Sequence, residues 1–134
     1  MKTMKQVIEL YPDLRHGGFS CSRVDYGTTD ELFADEEKAK IVAQWLIENF
    51  EISSNVRRWT GTGSYGWKHI AENVLRKSVN GYVCNGTFIA AAIMADIPIR
   101  PYKDSPNARI GITEKSLTRF NKLRTAQKLS TIYI

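Results

Sequence analysis

The chain has 134 residues, of which 43% are hydrophobic. This length and composition favour one ordinary folded domain and argue against a disordered or fibrous chain. No apolar run approaches the roughly 20 residues that a membrane-spanning helix needs, and Pro12 and polar residues interrupt the lysine-bearing N-terminus. We therefore expect neither a span nor a signal peptide, a cytoplasmic location, and free thiols at Cys21 and Cys84.

The net charge of +5 is unevenly distributed along the chain. Residues 1–54 carry six Lys and Arg against ten Asp and Glu, a net charge of −4, and residues 55–134 carry thirteen against four, a net charge of +9. Such a division indicates a basic surface that meets phosphates or an acidic partner. The alternative is that the two halves of a single domain attract each other. We treat 1–134 as a single domain with an acidic half and a basic half.

The acidic half contains one strong helical pattern. Before it, the apolar residues around Val7 could form a short helix or strand, His16-Gly17-Gly18 is a turn, and 19–26 fits a strand with a bulge. Thr28 and Glu31 have the spacing of a capping box. A helix over 35–50 follows, with Asp35 as its N-cap and one apolar stripe formed by Ile41, Val42, Trp45, Leu46 and Phe50.

In the basic half, a polar connector over 51–63 precedes three further helices. The first covers 65–77, is capped by Ser64 and has Trp67 in its apolar stripe, with Glu72 and Arg76 at ion-pair spacing. The second covers 86–96 and is capped by Asn85. A short strand over 108–113 and a helix over 114–129 follow, and 130–134 could be an edge strand. The predicted fold is α+β, a mainly helical domain of about four helices with a few short strands.

The central helices, 65–77 and 86–96, form a pair that is similar to a helix-turn-helix. Their connection of about eight residues is longer than the three or four that this motif uses. The second helix would read the bases, yet only Asn85 and Thr87 in it could contact a base edge or phosphate. The alternative is that the two helices pack together as core.

Cations and aromatic residues alternate around the first of these helices. Such a surface suits stacking on unpaired bases, and it equally suits a protein interface, where Trp, Tyr and Arg contribute most of the binding energy. The predicted contact residues are Arg57, Arg58, Trp59, Tyr65, Lys68, His69, Arg76, Lys77 and Asn85, with a second patch at Arg119 and Lys122.

Catalysis has less support in the sequence. Cys84 precedes a helix N-terminus, where a thiolate is stabilised, and His69 could be its base, although nothing in the spacing requires that pairing. The alternative is a buried, inert thiol. The sequence has no Cys or His pair at metal-ligand spacing, and the glycine-rich segment 61–66 lacks the lysine of a phosphate loop. We therefore expect no metal or cofactor, and favour a non-enzymatic function.

Three segments resemble short proteins encoded by phages and other mobile elements. They are "SYGWKH" at 64–69, followed by Glu72, then "GYVCNGTFIAAAIMA" at 81–95 and "DSPNARIGITEKSL" at 104–117. These proteins share a Ser-Tyr-Gly-x-Lys-His segment and a Tyr-[Val/Ile]-x-Asn-Gly-x-Phe helix start. The resemblance covers less than half of the chain, and Trp67 stands where an aliphatic residue is more usual. It implies a binding role in a host cell, as in anti-CRISPR or antirestriction proteins, or in transcriptional regulation.

Three hypotheses follow from these observations. The first is an anti-CRISPR-like protein that blocks a host defence protein or nucleoprotein complex through its basic, aromatic-bearing surface. The second is a helix-turn-helix-like protein that binds DNA or RNA directly, with an affinity that falls steeply with salt. The third is a small enzyme that uses His69 or Cys84. None of them requires a membrane, and the sequence leaves the oligomeric state open.

Overall fold

The computed structural model describes residues 1–133, with side-chain surroundings for residues 1–128. The predicted class, mixed and mainly helical, is confirmed, with six α-helices where about four were expected. The helices are α1 (Met4–Leu10), α2 (Thr29–Ala34), α3 (Glu36–Asn49), α4 (Ser64–Val74), α5 (Asn85–Met94) and α6 (Glu114–Tyr133). The strands are β1 (Leu14–Arg15), β2 (Gly18–Phe19), β3 (Ile99–Pro101) and β4 (Ala108–Ile110). No helix of the described residues is long and apolar enough to cross a membrane.

The capping box predicted at the start of α2 is present. The Thr28 hydroxyl accepts the Glu31 N–H at 3.1 Å, and Glu31 Oε1 accepts the Thr28 N–H at 3.0 Å. The helix is short, and Asp35 both ends it and begins α3. Asp35 was predicted as the N-cap of α3, and it holds that position without a side-chain cap hydrogen bond. Its carboxylate is therefore available to side chains from other segments.

Helix α5 lies at the centre of the fold. All ten of its residues are buried, and it packs against α3, α4 and α1. Ala90, Ala91 and Ala92 are fully buried. Their small side chains allow the neighbouring helices to approach α5 closely. The core that surrounds α5 includes residues from both the acidic and the basic half of the chain.

An aromatic cluster joins α3, α4 and α6. Phe50, just after α3, has its ring centroid 5.1 Å from those of both Trp45 and Trp67, and 4.8 Å from that of Phe120 in α6. Trp67 was predicted to face the core and is fully buried. The contacts of Phe50 with Trp45 and Trp67 are edge-to-face, a geometry that adds about 1 kcal/mol each beyond the burial of area.

Two small antiparallel sheets position the loops around α5. In the first, Leu14 pairs with Phe19 and Arg15 with Gly18, so His16 and Gly17 form the hairpin turn. In the second, the β3 and β4 strands pair over three residues. The predicted strand over 19–26 is wrong in extent, since β2 ends at Phe19 and only an isolated bridge between Cys21 and Val24 follows.

The helix-turn-helix interpretation of α4 and α5 is wrong. A recognition helix must expose one face to a nucleic-acid groove, whereas every residue of α5 is buried. The connection between the helices covers residues 75–84. The alternative drawn from the sequence, two helices that pack as core, describes the pair correctly.

Some predicted boundaries also need correction. The helix predicted over 65–77 ends at Val74, and Gly63 rather than Ser64 is its N-cap. Cys84 rather than Asn85 is the N-cap of α5. The edge strand predicted over 130–134 is wrong up to Tyr133, which belongs to α6, and Ile134 lies outside the described residues.

Candidate functional site

His16 is held rigidly in the turn of the β1–β2 hairpin. The carbonyl oxygen of His16 accepts the Gly86 N–H at 2.9 Å, which docks the hairpin on the first turn of α5. Only glycine permits this approach, because a Cβ at position 86 would lie 1.8 Å from Arg15 O. Gly17 next to it donates its N–H to Tyr26 O at 2.6 Å. The imidazole of His16 is therefore presented at the start of α5.

Three side chains from distant parts of the sequence meet at this junction. Cys84 Sγ lies 3.4 Å from His16 Nδ1, and His16 Nε2 lies 2.8 Å from Asp35 Oδ2. Thr87 Oγ1 donates a further hydrogen bond to the same Asp35 oxygen at 2.9 Å. We refer to Cys84, His16 and Asp35 as the triad. It unites a thiol, an imidazole and a carboxylate, the set that thiol-dependent catalysis uses.

The two ring nitrogens of His16 face different partners. Nε2 lies 2.8 Å from Asp35 Oδ2, and a carboxylate oxygen accepts hydrogen bonds, so this contact favours the tautomer with a proton on Nε2. In that tautomer the lone pair of Nδ1 faces Cys84 Sγ at 3.4 Å, with Glu31 Oε2 at 3.6 Å from the same nitrogen. Thr87 donates to the same Asp35 oxygen that contacts His16, and this second hydrogen bond helps to orient the carboxylate.

The thiol is mostly covered. Cys84 is 7% exposed, and burial raises its pKa, to which the nearby Asp35 charge also contributes. A hydrogen bond from the Tyr82 hydroxyl and the positive charges of Lys68 and Lys38 act in the opposite direction. Because the net shift is upward, Cys84 is a thiol at neutral pH and needs a base in order to react.

Tyr82 lies at the exposed edge of the triad. Its side chain is 55% exposed, and the hydrogen bond to the Cys84 sulfur, with the charge there, raises the pKa of Tyr82 to about 12. Its carbonyl oxygen accepts a hydrogen bond from Lys38 Nζ at 2.9 Å. The phenol therefore stays protonated and can donate to a negative sulfur throughout the physiological pH range.

A second polar cluster adjoins the triad through the chain segment before Cys84. Glu72 Oε1 accepts hydrogen bonds from Lys68 Nζ at 3.0 Å and from the Val83 N–H at 3.1 Å, and Glu72 Oε2 lies 3.2 Å from His69 Nδ1. Burial alone would raise the pKa of Glu72, but these partners outweigh it and lower the pKa. The ion pair predicted between Glu72 and Arg76 is replaced by the pair with Lys68.

Asn85 connects the site to two loops. Its side-chain nitrogen, which carries two hydrogens, has three acceptors within hydrogen-bond distance, namely Gly17 O at 3.2 Å, Pro106 O at 3.2 Å and Asn107 Oδ1 at 3.0 Å. The side chain is buried, and its Oδ1 has no hydrogen-bond partner among the described residues. Asn85 therefore holds the His16 turn in place, which is a structural use of a residue predicted to contact nucleic acid.

The predicted contact residues separate into two groups by burial. Trp59, Lys68 and Asn85 are each 6% exposed. Trp59 Nε1 donates to Ser53 O at 2.6 Å, and Lys68 Nζ lies 5.3 and 4.9 Å from the ring centroids of Tyr65 and Tyr82. The other predicted contacts are exposed, and they are Arg57, Arg58, Tyr65, His69, Arg76, Lys77, Arg119 and Lys122.

From the sequence, His16 and Asp35 were not grouped with Cys84, and the contact considered there between His69 and Cys84 is not formed. His69 contacts Glu72 and the Tyr65 ring, at a centroid distance of 4.8 Å, whereas His16 contacts Cys84. His16 and Cys84 are 68 positions apart, so no local spacing connects them. The sequence offered one signal for this contact, namely a histidine in a glycine-containing turn together with a cysteine at the start of a helix.

One cavity of the protein lies apart from the triad. It has a volume of about 510 Å³ and is lined by Leu10, Tyr11, Pro12, Asp13, Phe19, Ser20, Cys21, Ser22, Pro101, Tyr102, Asp104 and Ser105. None of these residues belongs to the triad, so this cavity is a separate surface feature. We give priority to the triad because its groups have complementary chemical roles.

The chain was compared with protein-family models, with curated proteins and with solved structures, and no match was found in any of the three comparisons.

Proposed function

We propose that the protein is a thiol-dependent acyl-transfer enzyme in which Cys84 is the nucleophile. The observation that carries this proposal is the contact of Cys84 Sγ with His16 Nδ1 at 3.4 Å, while Asp35 holds the other ring nitrogen at 2.8 Å. The expected substrates are compounds with an activated carbonyl carbon, such as esters, thioesters or amides.

The proposed reaction begins with transfer of the thiol proton to His16 Nδ1. The sulfur electron pair then forms a bond to the carbonyl carbon, and the imidazolium returns the proton to the departing oxygen, nitrogen or sulfur. Water hydrolyses the resulting thioester and regenerates the thiol. Asp35 stabilises the transient imidazolium, and Thr87 keeps the carboxylate in position.

The start of α5 supports the proposed chemistry electrostatically. Cys84 is the N-cap of this ten-residue helix, and the unpaired amides of a helix N-terminus carry partial positive charge. Negative charge that develops on the sulfur and on the carbonyl oxygen is favoured there. The phosphate-binding role that helix N-termini often have is disfavoured, because the Gly86 N–H is already bonded to His16 O and a carboxylate lies close by, bonded to the Thr87 hydroxyl.

The test uses p-nitrophenyl acetate with a Cys21→Ser protein, in which Cys84 is the only thiol. We expect a burst of one p-nitrophenolate per chain, followed by slower turnover, together with an acetyl group on Cys84 detected by mass spectrometry. Cys84→Ser should lose the burst, and His16→Ala should slow it at least tenfold. A burst of normal rate in His16→Ala would refute the assignment of His16 as the base.

In the motif that resembles the mobile-element proteins, position 84 is variable, and it lies between Val83 and Asn85. The motif fixes Asn85 and Gly86, the two residues that hold the His16 turn against α5. The hairpin itself, over residues 14–19, lies outside the segments that carry the resemblance.

We also propose a second candidate function, the binding of a host defence protein or nucleoprotein complex, as in an anti-CRISPR-like inhibitor. The observation in its favour is a set of exposed cations that have no ion-pair partner within the part of the chain the structure describes. They are Arg57, Arg76, Lys77, Arg119 and Lys122. Arg58, in contrast, is paired with Glu51.

This second function is tested by charge reversal at Arg57, Arg76 and Lys77, followed by affinity capture from host lysate with and without nuclease. Lys68 is left unchanged because its reversal would place two carboxylates together in a largely buried cluster. A control variant reverses Lys5, Arg23 and Lys103, which are exposed elsewhere on the protein. Equal capture by both variants would count against the basic surface.

A further inference from the structure

The triad also has the composition of a metal site. A thiolate, an imidazole and a carboxylate are all ligands of Zn²⁺, and the atoms that Cys84, His16 and Asp35 can offer lie within 4.8 Å of one another. No other group of three such side chains meets this distance among the described residues. The prediction of no metal site rested on local spacing, and these ligands come from three separate segments.

One donor separation, between Cys84 and His16, already matches that of a tetrahedral ion. With metal–ligand bonds of about 2.0–2.3 Å, two donors of a tetrahedral site stand roughly 3.3–3.7 Å apart. The distance from Cys84 Sγ to His16 Nδ1 is 3.4 Å, and Asp35 Oδ2 lies 2.8 Å from the other ring nitrogen. Cys84 and Asp35 contact opposite nitrogens of the His16 ring, and an imidazole offers only one nitrogen to an ion. Metal binding therefore breaks one of these two contacts and replaces it with bonds to the metal.

The surroundings of the triad are those of a partly accessible metal site. The side chains of His16 and Asp35 are each 22% exposed, so solvent reaches the edge of the site. Thr87 donates a hydrogen bond to the Asp35 carboxylate, and such outer contacts normally support metal ligands. Glu31 adds negative charge, with its Oε2 lying 3.6 Å from His16 Nδ1.

We propose that Zn²⁺, or another thiophilic divalent cation, binds Cys84, His16 and Asp35 and leaves one position for water. Binding displaces the thiol proton to solvent and forms the metal–sulfur bond. The thiolate ligand selects Zn²⁺, Co²⁺ or Cd²⁺ over Mg²⁺ and Ca²⁺, which prefer oxygen. This inference goes beyond the proposed function, because the ion would occupy the nucleophile and silence acyl transfer.

The test is titration of the Cys21→Ser protein with Co²⁺, monitored by absorption. We expect one Co²⁺ per chain, with a thiolate-to-cobalt charge-transfer band and the visible bands of a tetrahedral ion, and displacement by Zn²⁺ but not by Mg²⁺. Cys84→Ser should lose the charge-transfer band. Asp35→Asn, which retains the shape of the side chain, should weaken Co²⁺ binding at least tenfold.

A second measurement avoids dependence on variants that could fail to fold. Zn²⁺ in small molar excess should slow alkylation of Cys84 by iodoacetamide at least tenfold in the Cys21→Ser protein. The metal proposal is overturned if the charge-transfer band is absent, if Cys84→Ser retains it, or if Zn²⁺ leaves the alkylation rate unchanged. None of these readouts requires acyl transfer, so a failure of the proposed enzymatic function would be seen separately, as a missing p-nitrophenolate burst.

Discussion

The substitution Gly86→Ala tests whether contact between α5 and the hairpin holds the triad together. The added Cβ would lie 1.8 Å from Arg15 O and 2.5 Å from His16 O, and real Cβ contacts essentially never fall below 3.0 Å. Both oxygens belong to the backbone, so the hairpin must retreat from α5 by about 1.2 Å. That movement breaks the 2.9 Å hydrogen bond from the Gly86 N–H to His16 O.

The cost has two components. Overpacking of a rigid core site costs about 1–3 kcal/mol, and the lost backbone hydrogen bond adds about 1 kcal/mol. We therefore expect a decrease of roughly 2–4 kcal/mol in the free energy of unfolding, which corresponds to a decrease of about 10 °C in Tm for a chain of this size. His16 also withdraws from Cys84, so the p-nitrophenolate burst should slow even below Tm.

Thermal and urea unfolding, followed by circular dichroism, measure this effect. The matched control is Gly61→Ala, because a Cβ at Gly61 meets no atom within 4 Å and its backbone is not left-handed. That variant should be as stable as the parent or slightly more stable. Agreement of the two variants within about 0.5 kcal/mol, which is the usual range for surface substitutions, would show that the hairpin is not clamped to α5.

Three further substitutions test individual contacts. Tyr82→Phe removes a hydrogen bond that lowers the pKa of Cys84, so the pH profile of Cys84 alkylation should move to higher pH; Tyr65→Phe, equally exposed, should leave it unchanged. Glu72→Gln leaves the Lys68 ammonium without its carboxylate and should cost about 3 kcal/mol in urea unfolding at neutral pH. Folding lowers the pKa of Glu72 below its ordinary value of 4.5, so the ionised carboxylate stabilises the folded protein at every pH above 4.5. This stabilisation is lost as the pH falls through the pKa of the folded state. Glu72→Gln has no carboxylate at this position, so its free energy of unfolding should not show this decrease at acid pH. Thr87→Val removes the hydroxyl that holds Asp35 and should cost about 2 kcal/mol and slow the burst, whereas an unchanged burst would show that Asp35 needs no such support.

The sequence was informative where structure depends on nearby residues. The Thr28–Glu31 capping box and the buried Trp45, Leu46 and Trp67 were all predicted, because caps and helical stripes are encoded within one or two turns. The same stripe wrongly included Ile41, which is 39% exposed. Periodicity identifies the apolar face of a helix and does not show how far its packing partners extend.

The candidate site was less predictable because its contacts are long-range. Asn85 is a residue type that often caps helices, yet its side-chain amide instead forms hydrogen bonds with the loop carbonyls of Gly17 and Pro106. Lys68 was predicted to contact a partner, but Glu72 and two tyrosine rings enclose it. Glu72 had two cations at helical spacing, Lys68 and Arg76. Only the tertiary fold determines that the first of them is its partner.

The Asn85 amide has a consequence for the motions of the protein. One side chain ties the His16 turn, the loop at 106–107 and the first turn of α5 to a single point in the interior. Because these contacts share one side chain, we expect the hairpin and the start of α5 to open together as one cooperative unit. Loss of the alignment between the thiol and the imidazole should then require sub-global unfolding of the core, rather than local fraying of a two-residue strand.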